Sequence, residues 1–322
     1  MLKFSRLVTI YSPNSSRALQ YFQRTQPKLQ RLARARGATF YEIALDDLPL
    51  LDSVELITRQ IRDHDLVIAA GGDGINQVAL QAVFESERDV VAGFLPLGNG
   101  NDFATALNGR AKNPARILAS PTIDFHPLEL AINHQPKFYV AAYATFGITT
   151  VAVDLLNSNE NRTGRRRQSR LSPIAALKPR QLTQLSCQIN TLDFPAFRRD
   201  GQICHDDSVG FFLVPAAKNL LRPAGGVSNF LSRDDFFFHS DNVCVKSPGQ
   251  GWLGKSFTAA AWATRGLPGV ISDDEQLEFL RPSDLTINIG GDTIVLEQVQ
   301  TISAVRAERS VKILAARRSL QT

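Results

Sequence analysis

The sequence has few cysteines and no long uninterrupted apolar run. Only three of its 322 residues are cysteine, at positions 187, 204 and 244. Their odd number and their spacing fit a reducing compartment and match no metal site, so we interpret them as packing residues without chemistry. The longest uncharged apolar stretch, residues 138–153, is shorter than the roughly 20 residues of a membrane-spanning helix. We therefore expect two buried strands there and no spanning helix.

Signals for export, for metal binding by histidine and for covalent hydrolysis are also absent. The apolar run at residues 7–10 is too short for a signal peptide and ends in a turn-like segment, so we expect the protein to remain in the cytoplasm. The five histidines have no metal-ligand spacing. No Gly-x-Ser-x-Gly motif follows a predicted strand, which argues against the nucleophile elbow of a covalent hydrolase.

The overall composition is that of a folded globular protein. Hydrophobic residues make up 43% of the chain and charged residues 21%, and the length favours two domains. The formal net charge is only +5, but basic residues cluster at positions 162–180. They are Arg162, Arg165, Arg166, Arg167, Arg170, Lys178 and Arg180. Such a cluster attracts phosphate groups of nucleic acid or of an anionic lipid surface, and a solvated loop is the alternative interpretation.

Strand and helix patterns alternate over the first 120 residues and then give way to strands. Apolar β-type runs at residues 7–11, 40–45, 66–70 and 90–95 are separated by helical patterns. This alternation predicts an α/β domain over residues 1–120 with a mainly parallel sheet. The pattern of residues 121–322 predicts a mostly β, sandwich-like second domain. The last 15 residues or so of the chain are expected to pack against the first domain.

Two glycine-rich segments each follow a predicted strand and precede a predicted helix. Residues 71–74 read Gly-Gly-Asp-Gly, and residues 96–104 read Pro-Leu-Gly-Asn-Gly-Asn-Asp-Phe-Ala. Glycine lets the backbone approach a phosphate closely, and the N–H groups of a helix N-terminus face the anion. Either segment alone fits an ordinary tight turn, but the two together indicate phosphate binding at the strand ends of an open sheet.

Together the two segments resemble the catalytic domain of diacylglycerol kinases and related lipid kinases. The family patterns are Gly-Gly-Asp-Gly-Thr and Pro-x-Gly-Thr-x-Asn-Asp-Phe-Ala. Weaker similarities to this family occur at residues 10–16, at Ile123-Asp124, at Phe146-Gly147 and at residues 224–226. The resemblance implies a kinase fold in which the nucleotide lies in a cleft between the two domains.

The resemblance also implies the ligands and their residues. ATP and Mg²⁺ are the implied cofactors, and three acidic positions would surround the metal and the phosphates: Asp73, Asp102 and Asp124. The implied nucleotide-binding residues are Asn14, Gly71, Gly72, Asp73, Gly74, Asn76, Gly98, Asn99 and Asn101. The alternative is that Asp73 and Asp102 complete turns and that Asp124 is a surface residue.

The chain departs from the family pattern at several positions. Ile75 stands where the family has threonine after Gly74, either by replacement or by deletion of the threonine, and Asn99 replaces a second threonine. Near the C-terminus, Gly290-Gly291-Asp292 stands where the family has Asp-Gly-Glu. The resemblance therefore makes Asp292 the candidate general base. Asp73 is the second candidate catalytic residue. A turn between two strands is the alternative interpretation of that segment.

The sequence thus predicts transfer of the γ-phosphoryl group of ATP to the hydroxyl of diacylglycerol or a related lipid at a membrane surface. We expect a cytoplasmic protein that associates peripherally with a membrane and contacts anionic phospholipid and not nucleic acid. The sequence is compatible with a homodimer. Two alternatives remain. One is a kinase of NAD, which shares the first glycine motif, and the other is a nucleotide-binding, membrane-associated regulator that has lost turnover because its motifs are degenerate.

Overall fold

The structure is a computed structural model in which the chain divides into two compact units. It describes residues 2–15, 18–46, 48–98, 101–109, 112–147, 150–151, 183–184, 187–188, 194–199, 201–205, 208–213, 240–245, 270–272 and 276–316. The first unit consists of Met1–Pro127, Tyr139–Ala141 and Ala307–Thr322, and the second of Leu128–Phe138 and Ala142–Arg306. The first unit therefore draws on three separate stretches of the chain.

A six-stranded sheet forms the centre of the first unit. Its strands are β1 (Arg6–Tyr11), β2 (Thr39–Ala44), β3 (Asp65–Gly71), β4 (Val91–Pro96), β5 (Thr122–Phe125) and β16 (Val311–Leu314). Their spatial order is β2-β1-β3-β4-β16-β5. All neighbours pair in parallel except β5, which is antiparallel to β16. The predicted α/β unit with a mainly parallel sheet is confirmed.

Helices flank this sheet, and its central strands are buried along their whole length. Every residue of β3 and of β4 is buried, as expected for parallel strands covered on both faces. The helical elements are α1 (Ala18–Gln20), a π-helical turn (Tyr21–Thr25), α2 (Gln26–Ala35), α3 (Leu50–Gln60), α4 (Asp73–Ser86), α5 (Asp102–Asn108) and α6 (Pro114–Leu118). Pro27 lies in the first turn of α2, where its missing N–H removes no helical hydrogen bond.

The second unit is built on antiparallel strands. They are β6 (Leu128–Ile132), β7 (Gln135–Val140), β8 (Tyr143–Phe146), β9 (Phe197–Arg199), β10 (Gln202–Cys204), β11 (Ser208–Leu213), β12 (Ser240–Val245), β13 (Val270–Ser272), β14 (Gln276–Ile289) and β15 (Asp292–Arg306). The main order is β13-β12-β11-β8-β14-β15-β6-β7. The predicted β unit is confirmed, and its described strands belong to one hydrogen-bonded sheet.

The long hairpin of β14 and β15 turns at two glycines. Gly290 and Gly291 have φ values of 59° and 99°, a backbone conformation that favours glycine in a two-residue hairpin turn. The arginine cluster at positions 162–180 and the segment 224–226 lie outside the described residues. Within the described ranges, no helix is both long enough and apolar enough to cross a membrane.

Candidate functional site

The two glycine-rich segments lie side by side at one edge of the parallel sheet. The last residues of β3 and β4 are register partners, Gly71 with Pro96. The N–H of Leu97 then donates to the carbonyl oxygen of Gly71 over 2.9 Å. Because both strands are parallel, the segments that follow them emerge at the same carboxyl edge. The structure therefore brings together the two motifs that sequence analysis identified separately.

A third loop leaves the same edge. β1 pairs with β3 on the side opposite β4, and its last paired residue Ile10 is opposite Ala69. The loop carrying Asn14 follows β1 directly, and Asn14 is exposed. β2, the strand that follows β1 in the chain, lies on one side of the β1–β3 pair, and β4, which follows β3, lies on the other side. The carboxyl edge between β1 and β3 is thus a topological switch point, the place where open α/β sheets bind ligands.

Gly71 allows a close approach between the end of β3 and the start of α4. A Cβ atom on Gly71 would lie 2.5 Å from Cγ1 of Ile75, which is closer than two carbon atoms can pack. Gly72 occupies the N-cap position of α4 and has no side chain to bond the first N–H groups of the helix. Those N–H groups, with the positive end of the helix dipole, are suited to an anion.

Asp73 connects the first turn of α4 to the first turn of α5. The residue is 9% exposed, and its Oδ1 accepts a hydrogen bond from the N–H of Phe103 over 3.3 Å. The carboxylate thus bonds to the N-terminus of α5 and belongs to the first turn of α4, and negative charge at helix N-termini is stabilised. Asp73 therefore lies where the two glycine-rich segments meet.

Asn76 is a buried polar residue one turn further along α4. Its side chain is fully buried, and neither its amide nitrogen nor its amide oxygen has a hydrogen-bond partner among the described residues. A buried amide without partners costs free energy, so such a residue calls for an explanation. Positions i and i+3 share a helix face, so Asn76 lies on the same side of α4 as Asp73.

The second segment is closed by the side chain of Asn101. Its Oδ1 accepts from the N–H of Gly98 over 2.8 Å, and its Nδ2 donates to the carbonyl oxygen of Gly98 over 2.6 Å. Asn101 is also the N-cap residue of α5. Asn99 and Gly100 lie outside the described residues. Asp102 begins α5, but its side chain is also outside the described part.

Helix α5 is held in place by aromatic contacts and by one asparagine. The ring of Phe103 packs edge-on against Phe94, with 4.9 Å between ring centroids, and against Phe125 at 5.4 Å. Nδ2 of Asn108 donates to the carbonyl oxygen of Phe94, and its Oδ1 accepts from the N–H of Ala316. These contacts fix the start of α5 relative to β4 and hence relative to Asp73.

Asp124 does not join this group. It is exposed on β5 and is the register partner of Lys312, which in turn pairs with Val91 at the start of β4. The glycine-rich segment follows Pro96 at the other end of β4, about 16 Å away at about 3.3 Å per residue. The reason is the direction of β5, which runs antiparallel and carries Asp124 towards the opposite edge of the sheet.

Asp292 belongs to the second unit. It is the first residue of β15 and the register partner of Ile289 across the Gly290–Gly291 turn. The N–H of Gly291 donates to Oδ1 of Asn288 over 3.2 Å, which stabilises the turn. The hairpin interpretation of this segment is therefore confirmed, and the role of Asp292 as a general base stays a prediction.

Sequence reasoning did not find Gln77. Its side chain is buried, its Nε2 donates to the carbonyl oxygen of Tyr139 over 2.9 Å, and its Oε1 accepts from the N–H of Ala141 over 2.8 Å. The side-chain amide of Gln77 thus donates one hydrogen bond to the backbone and accepts another from it, as a neighbouring strand does. These two bonds fix α4 against residues 139–141. The available signal was a pair of glutamines, Gln77 and Gln81, on one face of an otherwise apolar helix.

An aromatic cluster lies at the carboxyl end of β1. Tyr11 stacks on Tyr21 with 4.6 Å between ring centroids, and Phe22 packs edge-on against both rings. The hydroxyl of Tyr21 donates to Oε1 of Glu42 over 2.6 Å. Burial of the ring, followed by the hydrogen bond to Glu42, raises the pKa of Tyr21. The cluster fixes the helical segment after β1 beside the Asn14 loop.

Among the described residues, Asp73 is suited to hold a magnesium ion that is also bound to substrate phosphates. No group of three or more His, Cys, Asp or Glu side chains within metal-binding range occurs among the described residues. Mg²⁺ commonly uses one or two carboxylates together with water and substrate phosphates. The buried carboxylate of Asp73 beside two helix N-termini meets that requirement.

Comparison with known proteins finds similarity to the same family by sequence over part of the chain. Residues 6–126 match the family described as the diacylglycerol kinase catalytic domain. A diacylglycerol kinase of Staphylococcus haemolyticus (strain JCSC1435) is 33% identical over 156 residues, which are 47% of this chain and 43% of that protein. One from Staphylococcus saprophyticus subsp. saprophyticus (strain ATCC 15305) is 32% identical over 100 residues, 31% of this chain and 32% of that protein. The matches thus span less than half of the length of these curated relatives.

Solved structures extend the likeness of fold over nearly the whole chain. The crystal structure of a diacylglycerol kinase from Bacillus anthracis str. Sterne matches with a TM-score of 0.54 at 14% identity, covering 98% of both chains. Another structure from the same organism matches with a TM-score of 0.58 at 14% identity, covering 98% of this chain and 97% of the other. The resemblance inferred from the two glycine-rich segments is confirmed: residues 6–126 match the diacylglycerol kinase catalytic domain.

Proposed function

We propose that the protein transfers the γ-phosphoryl group of ATP to the hydroxyl of a membrane lipid, with diacylglycerol as the first acceptor to test. The observation that carries this proposal is the junction of the two glycine-rich segments. The N–H of Leu97 bonds to Gly71, and the carboxylate of Asp73 bonds to Phe103. The family match over residues 6–126 includes both segments.

The nucleotide phosphates would bind at this junction. The N–H groups at the start of α4 and the backbone around Gly98 would donate to phosphate oxygens, because neither Gly72 nor Gly98 has a side chain that blocks the approach. The partnerless amide of Asn76 supports the same location. Asn14, in the loop after β1 at the same edge, would contact the nucleotide from the other side of β3.

A magnesium ion would be held by Asp73 together with the phosphates, and Asp102 at the start of α5 is the second candidate carboxylate. Bound there, the ion would neutralise charge on the transferred phosphoryl group. The chain's own contribution is to hold Asp73 rigidly, through Phe103 and through the packing of α5 on Phe94. The position of Asp124 at the opposite edge gives no support for its part in this metal site.

Asp292 is proposed to accept the proton of the lipid hydroxyl. A carboxylate is a competent general base when it comes within hydrogen-bond reach of that hydroxyl. Its place at the end of a tight hairpin, beside the hydrogen bond from Gly291 to Asn288, keeps its backbone in a fixed position. The lipid acceptor implies a peripheral contact with the cytoplasmic face of a membrane that contains anionic phospholipid.

The experiment is transfer of radiolabel from ATP to a total lipid extract, with Asp73→Asn as the variant. Asparagine keeps an acceptor for the N–H of Phe103, so the thermal midpoint should stay close to that of the parent. Loss of the negative charge should abolish labelling, because charge neutralisation at the phosphates depends on the carboxylate. Chromatography of the labelled product identifies the acceptor.

The outcomes separate the alternatives. Formation of NADP from NAD without labelled lipid indicates a kinase of NAD. Nucleotide binding without any labelled product indicates a regulator that has lost turnover. Full activity of Asp73→Asn would contradict the role given to this residue.

A further inference from the structure

The hairpin between β14 and β15 carries Asp292 directly after a turn made of glycine alone. Gly290 and Gly291 form the turn, with φ values of 59° and 99°, and Asp292 is the first residue of β15. Two adjacent glycines give the backbone a wide choice of conformations. A side chain at the end of such a turn therefore keeps a fixed position only if other contacts hold the turn.

Asn288 supplies these contacts from the strand before the turn. Its Oδ1 accepts a hydrogen bond from the N–H of Gly291 over 3.2 Å, and its Nδ2 donates to Oγ1 of Thr293 over 3.3 Å. The residue before Asp292 and the residue after it are thus bonded to the same side-chain amide. Asn288 is fully buried, so its amide is shielded from water, and hydrogen bonds are stronger in such surroundings.

Neighbouring strands hold Asn288 from both sides. Its register partners are Thr145 on β8 and Thr293 on β15, and β14 lies between these two strands in the sheet. The buried hydroxyl of Thr145 has no hydrogen-bond partner among the described residues. The amide of Asn288 is therefore directed to the hairpin turn and not to β8.

Asn288 can act on Asp292 only through the backbone. Successive side chains of a strand point to opposite faces of the sheet. Thr293 and its register partner Asn288 therefore share one face, and Asp292 belongs to the other. The amide influences the Asp292 carboxylate by fixing the residues on either side of it.

We propose that Asn288 is a positioning residue for Asp292 in phosphoryl transfer. The inference rests on the proposed function, in which Asp292 takes the proton of a lipid hydroxyl while the hydroxyl oxygen bonds to the γ-phosphorus of ATP. The bond from that phosphorus to the ADP oxygen breaks, and ADP leaves with the electron pair. A misplacement of about 1 Å can cost about 100-fold in rate, so the position of the carboxylate affects the rate directly.

The test measures transfer of radiolabel from ATP to diacylglycerol in mixed micelles. Asn288→Ala removes both hydrogen bonds and should lower kcat by about 10-fold to 100-fold, with KM for ATP unchanged. Thr293→Val removes one bond at an exposed position and should lower kcat about threefold, as expected for one neutral hydrogen bond. Thr293→Ser keeps the hydroxyl and should retain the parent rate. If Asn288→Ala does not fold, the two variants of Thr293 decide the question.

A double-mutant cycle separates positioning from a general loss of structure. If Asn288 acts only through Asp292, Asn288→Ala should have no further effect on kcat in the Asp292→Asn background, because the base is already absent. A role in folding alone would lower kcat by the same factor in both backgrounds.

The matched control is an asparagine at another hairpin turn of the same sheet. The Oδ1 of Asn133 accepts from the N–H groups of Gln300 and Thr301, and its Nδ2 donates to the carbonyl oxygen of Gln298. Neither Asn133 nor His134, which form that turn, is a candidate for catalysis. Asn133→Ala should therefore lower the thermal midpoint and leave kcat close to that of the parent.

Hydrogen exchange gives a measurement that does not depend on activity. The N–H of Gly291 should exchange about tenfold faster in Asn288→Ala than in the parent, because its acceptor is lost. Asn133→Ala should leave this exchange rate unchanged.

The inference is overturned by an unchanged exchange rate of the Gly291 N–H in Asn288→Ala, or by equal losses of kcat in the two backgrounds of the cycle. Full activity of Asp292→Asn also overturns it, because the positioned carboxylate would then not be the base. If the parent labels no diacylglycerol, yet the Gly291 N–H exchanges faster in Asn288→Ala alone, the lipid kinase proposal fails. The hold of Asn288 on the position of Asp292 is then supported on its own.

Discussion

Gly71 is the residue whose identity the structure explains most directly. The space that a side chain would need at this position is filled by Ile75, in the first turn of α4. The requirement comes from close packing and not from an unusual backbone angle. Ile75, which departs from the family threonine, therefore has a packing role against the end of β3.

Gly71→Ala should destabilise the protein by about 1–3 kcal/mol, because the added methyl group overpacks the contact with Ile75. In the double variant with Ile75→Gly, both contacting atoms of Ile75, Cγ1 at 2.5 Å and Cβ at 2.6 Å, are absent, so part of the loss should be recovered. Urea unfolding of the parent, the two single variants and the double variant measures this coupling. Strictly additive losses would show that the contact with Ile75 is not the reason for glycine at this position.

Tyr21 should make stability depend on pH in the alkaline range. Because burial and Glu42 raise its pKa, the folded state favours the neutral phenol more than the unfolded state does. The contribution is complete below the unfolded pKa of about 10 and is lost progressively as the pH rises above it. The urea midpoint of the parent should therefore fall between about pH 9 and about pH 11 more steeply than that of Tyr21→Phe, which cannot ionise.

Tyr41→Phe is the control for this measurement. Tyr41 is exposed and bonds to Gln60 on the surface, so this variant should follow the pH dependence of the parent. An equally steep fall in Tyr21→Phe would show that other groups cause the alkaline loss.

At the scale of elements, α4 joins most features of the candidate site. It begins at Asp73, buries Asn76 and holds residues 139–141 through Gln77. It begins within the glycine-rich stretch, whose residues give no helical pattern in the sequence. The family threonine would fall within the first turn of α4, at the position of Ile75 or beside it.

Inserting threonine between Gly74 and Ile75 should impair folding, whereas Ile75→Thr should be tolerated. One extra residue within α4 turns all later positions by about 100° relative to the first turn. Asn76 and Gln77 would leave their buried positions, and the bonds of Gln77 to Tyr139 and Ala141 would break. Thermal melts and ATP titrations of both variants compare the two changes. An insertion variant that is stable and binds ATP more tightly would show that the loop has lost a residue.

Part of the site was predictable from sequence because it depends on local pattern. Apolar runs that end in glycine mark the ends of β3 and β4, and parallel pairing then brings the two segments together. The placement of Asp124 was not predictable, since it depends on the direction of β5. The role of Gln77 was equally hidden, because its partners Tyr139 and Ala141 follow more than 60 residues later and no local signal points to them.

At the scale of the whole molecule, the first unit is completed by a distant part of the chain. β16 lies between β4 and β5, with Lys312 and Ile313 paired to Val91 and Ala92. The N–H of Ala307 donates to the carbonyl oxygen of Pro127, and the N–H of Ala316 to the carbonyl oxygen of Leu107. Residues 307–316 therefore complete the first unit, and Val311, Ile313, Leu314 and Ala315 are buried in its core.

Deleting residues 307–322 should unfold the first unit or cause aggregation. The deletion exposes the edge of β4 and removes the fully buried side chains of Ile313 and Leu314, each worth about 1.5–3 kcal/mol. A synthetic peptide of residues 307–316 added to the truncated chain should raise its thermal midpoint. The same peptide with Ile313→Lys should not, because the charge cannot be buried there. A truncated chain as stable as the parent would contradict this account.

The position of β16 also sets an order of events during synthesis. β4 and β5 are synthesised long before β16, the strand that separates them in the sheet. Their edges therefore stay unpaired while almost 200 residues of nascent chain are synthesised. Exposed strand edges are templates for wrong pairing, and contacts of such long sequence separation form slowly. The first unit is expected to reach its final sheet only after β16 has emerged, and to need protection from aggregation until then.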